Sequence, residues 1–505
     1  MKLIKSAAGI AIGGSLLLPS AWSKRAGEVN LGSVLSACPD CNLVVFSYSS
    51  VARARLRLYG HANPTDRETE KYVTDGLVFD HHFAASGWPL QSQISLYTGQ
   101  HLPGHNVLNN GFHNRLLYSR FNLKEDRIAP DTVTLAELAK RNGYETFFIG
   151  GAPHQNFYSS QMGVTRGIDR LVDRCLHYHE DAGEVRKLIS ALREKRFFGI
   201  VNTVRTHFPH FLTPESYKSE FTTYHYQGYF PSSEEEFKRQ MKAGWPDLLS
   251  FLNKNPSPGN PDLLRSRQFA NDDHWFIDVA RMVDGQKAIA HYLNNYDQAI
   301  RFADHFIGEL FRSLEEHALL ERTIVIVTSD VGANSFESYV SGPRPSFGYG
   351  TSTPEAVQIP LIVYHPQLRK KKSGLLRYGG ITNSTDVYPT VAALLGWRTA
   401  GSRLDGENLL SSEASLRRVS PSYTYRPHRG LTVGIHNREG SLILSKRETA
   451  FFDRAKRLFI TPRDAVFKKN KTVLELRSQE AAARKLIEDK RFPNLTDPPG
   501  AKPNP

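Results

Sequence analysis

The residues of this chain best equipped for chemistry lie in short, separated segments. Asp80-His81-His82 and Thr206-His207-Phe-Pro-His210 offer imidazole and carboxylate, a set that suits zinc. Adjacent His81 and His82 would face opposite sides of a strand, so only one of them could readily serve as a ligand. The competing reading is that these histidines are surface or hydrogen-bonded structural residues. Ser86 and Ser92 carry hydroxyls that a neighbouring base could activate for attack, and Asp330 follows an apolar, β-branched run. Cys38-Pro-Asp-Cys41 is a close cysteine pair, and Cys175 is the third cysteine of the chain. Three cysteines in 505 residues do not make a disulfide framework. In an oxidising compartment Cys38 and Cys41 could form a local bond, which the sequence alone leaves open. A redox role would need a thioredoxin-like context and a zinc site a second ligand pair, and the sequence offers neither.

These residues need a scaffold, and the chain reads as one large α/β domain with appendages. With 40% hydrophobic and 11% aromatic residues it can bury a large core. Short β-branched runs alternate with helical patterns, the signature of a mostly parallel sheet covered by helices. The expected strands are Leu43 to Phe46, Thr146 to Ile149, Phe197 to Val201, Thr323 to Thr328 and Leu361 to Tyr364. Leu135 to Arg141 predicts a helix closed by Gly143. Ile300, Ala303, Ile307, Leu310 and Leu314 recur at helical spacing within a longer helix over about Tyr296 to Glu316. A further helix is expected near Asp386, its first turn capped by Thr or Asp and tolerant of Pro389. Residues 214–285, rich in aromatics, charges and prolines, read as an insertion that could act as a lid or partner surface. Residues 411–492 predict a small antiparallel carboxyl-terminal subdomain ending in a charged helix over Thr472 to Asp489. Residues 493–505 predict a disordered tail.

The amino terminus adds an address. Lys2 and Lys5, an apolar stretch from Ala7 to Leu18, Pro19 and small residues at Ala21 and Ser23 have the order of a secretory signal, with a linker over 24–37. The stretch is short of the ~20 residues that span a bilayer, so a periplasmic or secreted protein is expected, not a transmembrane one. The net charge of +13, about +11 once Lys2 and Lys5 are removed, favours an anionic partner. Export and the lack of a recognition module argue against nucleic acid.

Four segments resemble sulfatases of the alkaline phosphatase superfamily. Asn42-Leu-Val-Val-Phe-Ser-Tyr-Ser-Ser50 with Leu58-Tyr-Gly60 is similar to their first strand and following helix. Ser86-Gly-Trp-Pro-Leu-Gln-Ser-Gln-Ile-Ser-Leu-Tyr-Thr-Gly99 is similar to their nucleophile segment. Tyr296-Asp297 through Thr323-Ile-Val-Ile-Val-Thr-Ser-Asp-Val-Gly332 resembles the helix and strand that deliver a metal-binding Asp. Asp386-Val-Tyr-Pro-Thr-Val-Ala-Ala-Leu-Leu-Gly396 with Leu404-Asp-Gly406 resembles the late helix and loop. The resemblance runs over about Asn42 to Leu410. It implies a sulfatase-like α/β fold over 38–410 and metal-assisted displacement at sulfur or phosphorus.

The residues for that chemistry are mostly replaced. Ser49 and Ser50 stand where the family has two metal-binding acids, and Pro89 stands where it has a Cys, Ser or Thr nucleophile. Proline has no nucleophilic atom. Gln91 and Gln93 replace the motif's proline and arginine, while Ser92 is kept. Val331 follows Asp330 where His or Asn is common, and Tyr349 stands in place of the histidine of Gly-His-Gly. His207 and Asp330 remain as family-site residues. The expectation is an exported, non-catalytic, sulfatase-like protein without a cofactor. Its remnant pocket of Ser49, Ser50, Ser92, His207, Asp330 and Tyr349 would bind an anionic ligand such as a sulfated or phosphorylated glycan. The first alternative is an active sulfuric or phosphoric ester hydrolase or transferase, with Ser86 or Ser92 as relocated nucleophile and Ca²⁺ or Mg²⁺ as cofactor. The second is a surface protein binding anionic polymers through the insertion and the basic residues, among them Arg53, Arg55 and Arg57.

Overall fold

The computed structural model describes residues 29–108, 126–150, 162–173, 182–206, 210, 213–218, 220–221, 285–333, 352–399, 401–426, 430–446, 449–454, 458–460, 462, 465–489 and 491–492. The signal-like segment, the disordered-tail expectation, most of the 214–285 insertion, Cys175, His207 and Tyr349 lie outside the described residues.

Uninterrupted apolar runs make strands that can be buried on both faces, and this governs the architecture. Eight strands form one sheet: β1 (Asn42–Tyr48), β2 (Leu77–Phe83), β3 (Glu145–Gly150), β4 (Arg170–Asp173), β5 (Phe197–Thr203), β6 (Thr323–Ser329), β7 (Leu361–Tyr364) and β8 (Leu376–Asn383). Their order is β4-β3-β5-β1-β6-β7-β2-β8. All neighbours are parallel except β7, which runs antiparallel to both β6 and β2. Each expected strand is present, whereas β2, β4 and β8 carry polar residues that mask their rhythm in the sequence. β2 reads Leu-Val-Phe-Asp-His-His-Phe.

The period of two divides the strand residues between two cores. Val44, Phe46 and Tyr48 of β1 face one side, with Val325 and Val327 of β6. Leu43 and Val45 face the other, with Ile324 and Ile326. The first core is closed by α5 (Gly285–Glu316), which starts well before the expected Tyr296 and presents Ile300, Ala303, Ile307, Leu310 and Leu314 to the sheet. α1 (Arg67–Tyr72) and α4 (Ala182–Leu192) pack against it. The second core is closed by α2 (Pro89–Thr98), α3 (Leu135–Arg141) and α6 (Val387–Leu394). α3 begins in a Thr134/Glu137 capping box, which fixes its start as the sequence predicts. The turn leading into α6 is capped by Asn383, whose side chain accepts from Thr385 N, while Asp386 accepts from Asn383 N at 2.7 Å. The expected cap by Thr or Asp is therefore shifted upstream to Asn383.

A second sheet follows, antiparallel and five-stranded, in the order β13-β12-β11-β10-β9. Its strands are β9 (Ser420–Arg426), β10 (Gly430–His436), β11 (Gly440–Leu444), β12 (Thr449–Asp453) and β13 (Leu458–Ile460). The single charged helix expected over Thr472 to Asp489 is two helices, α7 (Lys471–Arg477) and α8 (Glu480–Ile487). They are separated at Ser478-Gln479, and Val473, Leu476, Ala483 and Ile487 all lie in this sheet's core. Cys38 and Cys41 form a disulfide just before β1. Among the described residues, no helix is long and apolar enough to cross a membrane.

Candidate functional site

The carboxyl ends of β1 and β6 lie side by side because Tyr48 pairs with Ser329. The next residue of each strand therefore enters the same crevice, where Asp330 N donates to Tyr48 O at 3.0 Å. Ser50 adopts a left-handed backbone (φ 64°), rare for a residue with a side chain. This turns its N–H onto Asp330 Oδ1 at 2.8 Å. The turn is held from outside by Tyr296 of α5, whose hydroxyl donates to Ser50 O at 2.5 Å and accepts from Ala52 N at 3.0 Å. Thr206 Oγ1 donates to Ser49 O. Gly332 lets the segment after Asp330 pass close to residues 355–356: a Cβ there would sit 2.0 Å from Glu355 O.

Asp330 is buried, and its two oxygens are saturated by protein donors. Oδ1 accepts from Ser50 N and from Val331 N at 2.6 Å. Oδ2 accepts from Ser49 Oγ at 3.2 Å and from Gln93 Nε2 at 3.0 Å. Burial raises its pKa to about 6, and the hydrogen bonds from Ser50, Val331, Ser49 and Gln93 oppose that rise.

Gln93 reaches this place because of where α2 starts. Pro89 is the first helical residue, where a missing N–H costs nothing, and the helix ends at Gly99 with φ 67°. Pro89, Gln93 and Tyr97 are four residues apart and share one face. Gln93 hydrogen-bonds Asp330, and the Asp330 charge adds to the burial that raises the Tyr97 pKa. The expected nucleophile position thus lies on the helix face turned to Asp330, and it holds a proline ring. Ser50 Oγ, Ser92 Oγ, Gln93 Oε1 and Tyr97 OH are buried without a hydrogen-bond partner.

Of the candidate ligand-binding residues, Ser49 and Ser50 contact Asp330, and Ser92 precedes Gln93 on α2. Ser86 is committed elsewhere: its hydroxyl donates to Gln91 Oε1 at 2.9 Å and accepts from Trp88 N at 3.1 Å. Gln91 itself clamps β9, its Nε2 donating to Tyr425 O at 2.9 Å and its Oε1 accepting from Tyr425 N at 3.1 Å. Among the described residues, the zinc set read from the sequence is not gathered into a metal-binding group. Asp80 pairs with Arg377, His82 is bonded to Thr382 Oγ1 at 2.9 Å, and His210 stacks on Tyr296 with centroids 5.1 Å apart. Burial lowers the His82 pKa to about 3. Of the three arginines after β1, Arg55 is a buried partner of Asp297 and Arg57 lies 3.6 Å from Glu70. Arg53 donates to Asp80 O.

The sequence reading named Gln91 and Gln93 only as replacements of the motif's proline and arginine, and gave no site role to Tyr97 or Tyr296. The four-residue spacing from Pro89 was the available signal for Gln93 and Tyr97.

The family resemblance implies a divalent cation at this crevice, and the residues present do not fit one. Such an ion needs several oxygen ligands with net negative charge. Asp330 faces the neutral Ser49 and Ser50, and N–H and O–H donors point at both of its oxygens. Among the described residues, no group of three or more His, Cys, Asp or Glu is placed to hold a metal.

Comparison with known proteins agrees with the fold. The phosphonate monoester hydrolase of Agrobacterium radiobacter superposes with a TM-score of 0.63 at 16% identity, over 89% of this chain and 97% of that one. The phosphonate monoester hydrolase SpPMH from Silicibacter pomeroyi gives 0.60 at 14% identity, over 90% and 97%. BT4656, solved with its substrate D-glucosamine-2-N,6-O-disulfate, gives 0.61 at 16% identity, over 89% and 100%. No curated protein matches the chain in sequence. The model of the family described as Sulfatase matches residues 42–397, and by that match over most of its length the chain belongs to the sulfatase family.

Proposed function

We propose that this is an exported, non-catalytic member of the sulfatase family that binds an anionic carbohydrate, a sulfated or phosphorylated glycan, over the carboxyl edge of its main sheet. One observation carries the reading. Asp330, the retained family acid, is saturated by Ser50, Val331, Ser49 and Gln93, while Pro89 occupies the nucleophile position. A carboxylate with four donors on it has no free oxygen to offer a cation, and proline has no atom with which to attack. The unpartnered hydroxyls of Ser50, Ser92 and Tyr97 are groups that a sugar could satisfy. His207 and Tyr349, which the sequence reading adds to this ligand set, lie outside the described residues. The phosphonate ester hydrolases and the disulfated glucosamine complex among the structural neighbours guide the choice of test ligands.

The test is incubation of the protein lacking residues 1–23 with aryl sulfates, phosphate monoesters and diesters and phosphonate monoesters, each with Ca²⁺, Mg²⁺, Mn²⁺ or Zn²⁺. No turnover is expected, and Pro89→Ser, which restores only a hydroxyl, is expected to stay inactive. Turnover abolished by Asp330→Ala overturns the reading. The second reading, an active ester hydrolase, draws on Ser92, whose buried hydroxyl is unpartnered, and no longer on Ser86. It requires about one bound metal per chain by elemental analysis, and turnover lost in Ser92→Ala.

A further inference from the structure

Away from Asp330, basic side chains converge where the two sheets meet. Arg454 follows β12, next to the β10–β11 turn, and its backbone N–H donates to Glu439 O. Its Nη1 donates to Asn437 O and Arg438 O, both at 3.0 Å. These bonds hold the guanidinium 5.7 Å from the ring of Phe83 in β2. Its Nη2 is buried without a hydrogen-bond partner. From the main sheet, Arg53 arrives with its guanidinium on Asp80 O, and the buried Nδ1 of His81 is likewise unpartnered.

The charges act on one another across the seam. Burial and then Arg53, Arg454 and Arg438 push the His81 pKa down to about 3, and burial followed by Arg53 lowers Arg454 to about 10. Of the carboxylates nearby, Asp80 is paired with Arg377, and Glu439 opposes the lowering at Arg454 without reversing it. Like charges gathered against a buried, unsatisfied N–H cost stability unless an anion joins them.

We propose that this seam is an anion-binding site, in which Arg53, Arg438 and Arg454 hold the sulfate or phosphate group of a carbohydrate ester. Guanidinium forks match the oxygens of such a group, and the Nη2 of Arg454 supplies a donor already desolvated. The inference rests on the binding half of the proposed function and not on the loss of catalysis, so turnover by the enzyme would leave it standing.

The test titrates the protein lacking residues 1–23 calorimetrically with dextran sulfate, neutral dextran, inorganic sulfate and inorganic phosphate, and follows Tm with each. Dextran sulfate is expected to bind in a salt-sensitive way and raise Tm, and neutral dextran to do neither. Arg454→Gln and Arg438→Gln should each weaken binding about tenfold or more and remove the rise in Tm. Arg477→Gln, a charge-matched change on α7, should change neither. A merely structural Arg454 would lower Tm while leaving the ligand-induced rise intact, and Arg438, on an exposed turn, provides the variant if Arg454→Gln does not fold. Binding of the free ions as tight as that of the polymer would identify the ion itself as the ligand of this site and overturn the carbohydrate ester. Equal binding by wild type, Arg438→Gln and Arg454→Gln, or no binding of dextran sulfate by wild type, overturns the site.

Discussion

The protonation of Asp330 decides between a buried hydrogen-bonded acid and a metal ligand, and stability reports it. The folded protein raises this carboxyl from its ordinary 3.8 to about 6, chiefly by burial. A raised carboxyl pKa means that the folded state holds the proton more tightly than the unfolded chain. The associated stability is full below about 3.8 and is lost as pH rises through about 6. Between pH 5 and pH 8 the loss integrates to roughly 1 kcal/mol. A bound divalent cation would instead lower the pKa of Asp330 and reverse the slope. Asp330→Asn removes this titration while Asp66 and Asp304 still titrate, so the measurement is the difference between wild type and variant. Urea unfolding at half-unit pH steps, with and without millimolar Ca²⁺ or Mg²⁺, supplies it. Wild type is expected to lose roughly 1 kcal/mol relative to the variant over that window, unaffected by either cation. A difference that is flat, or that rises with pH when cation is added, would refute the reasoning.

Two further outcomes follow from the same geometry. Gln91→Leu strips the clamp on Tyr425 and leaves buried backbone groups of β9 and Leu108 O without their partner, so unfolding measurements should show a loss of roughly 1–3 kcal/mol. Asp66 is raised to about 8, by burial and then by Asp304, itself raised to about 7 by burial, so stability should fall as pH rises through 7 to 8. In Asp66→Asn that fall should be visibly shallower in the same titration, and an unchanged profile would count against a buried acid pair.

Much of the fold is legible locally. Strand burial on both faces leaves continuous apolar runs, and β1, β3, β5, β6 and β7 announce themselves that way. β2 and β8 do not, because Asp80 and Arg377 satisfy each other across neighbouring strands, which lets charged residues sit within a sheet. The long charged helix expected at the carboxyl end differs in another way: Val473, Leu476, Ala483 and Ile487 recur on one helical face, so the local pattern runs on through Ser478-Gln479, where the chain divides into two helices on the same core.

The sequence by itself determined which reactive atoms this protein can own: serines at 49 and 50, a proline at 89 and a lone acid at 330. That is a matter of composition at aligned positions, and no folding event can give proline a hydroxyl. Only the tertiary structure decided what became of the groups left behind. Gln93 and Asp330 are 237 residues apart, and they meet because β1 and β6 are neighbours and α2 starts at Pro89. The basic residues show the same division: Arg55 and Arg57 look alike in the sequence beside Arg53, yet the fold gives them Asp297 and Glu70. It carries Arg53 to the seam where Arg454 waits. Charge is written in the chain, but its neutralisation depends on partners that are close only in space.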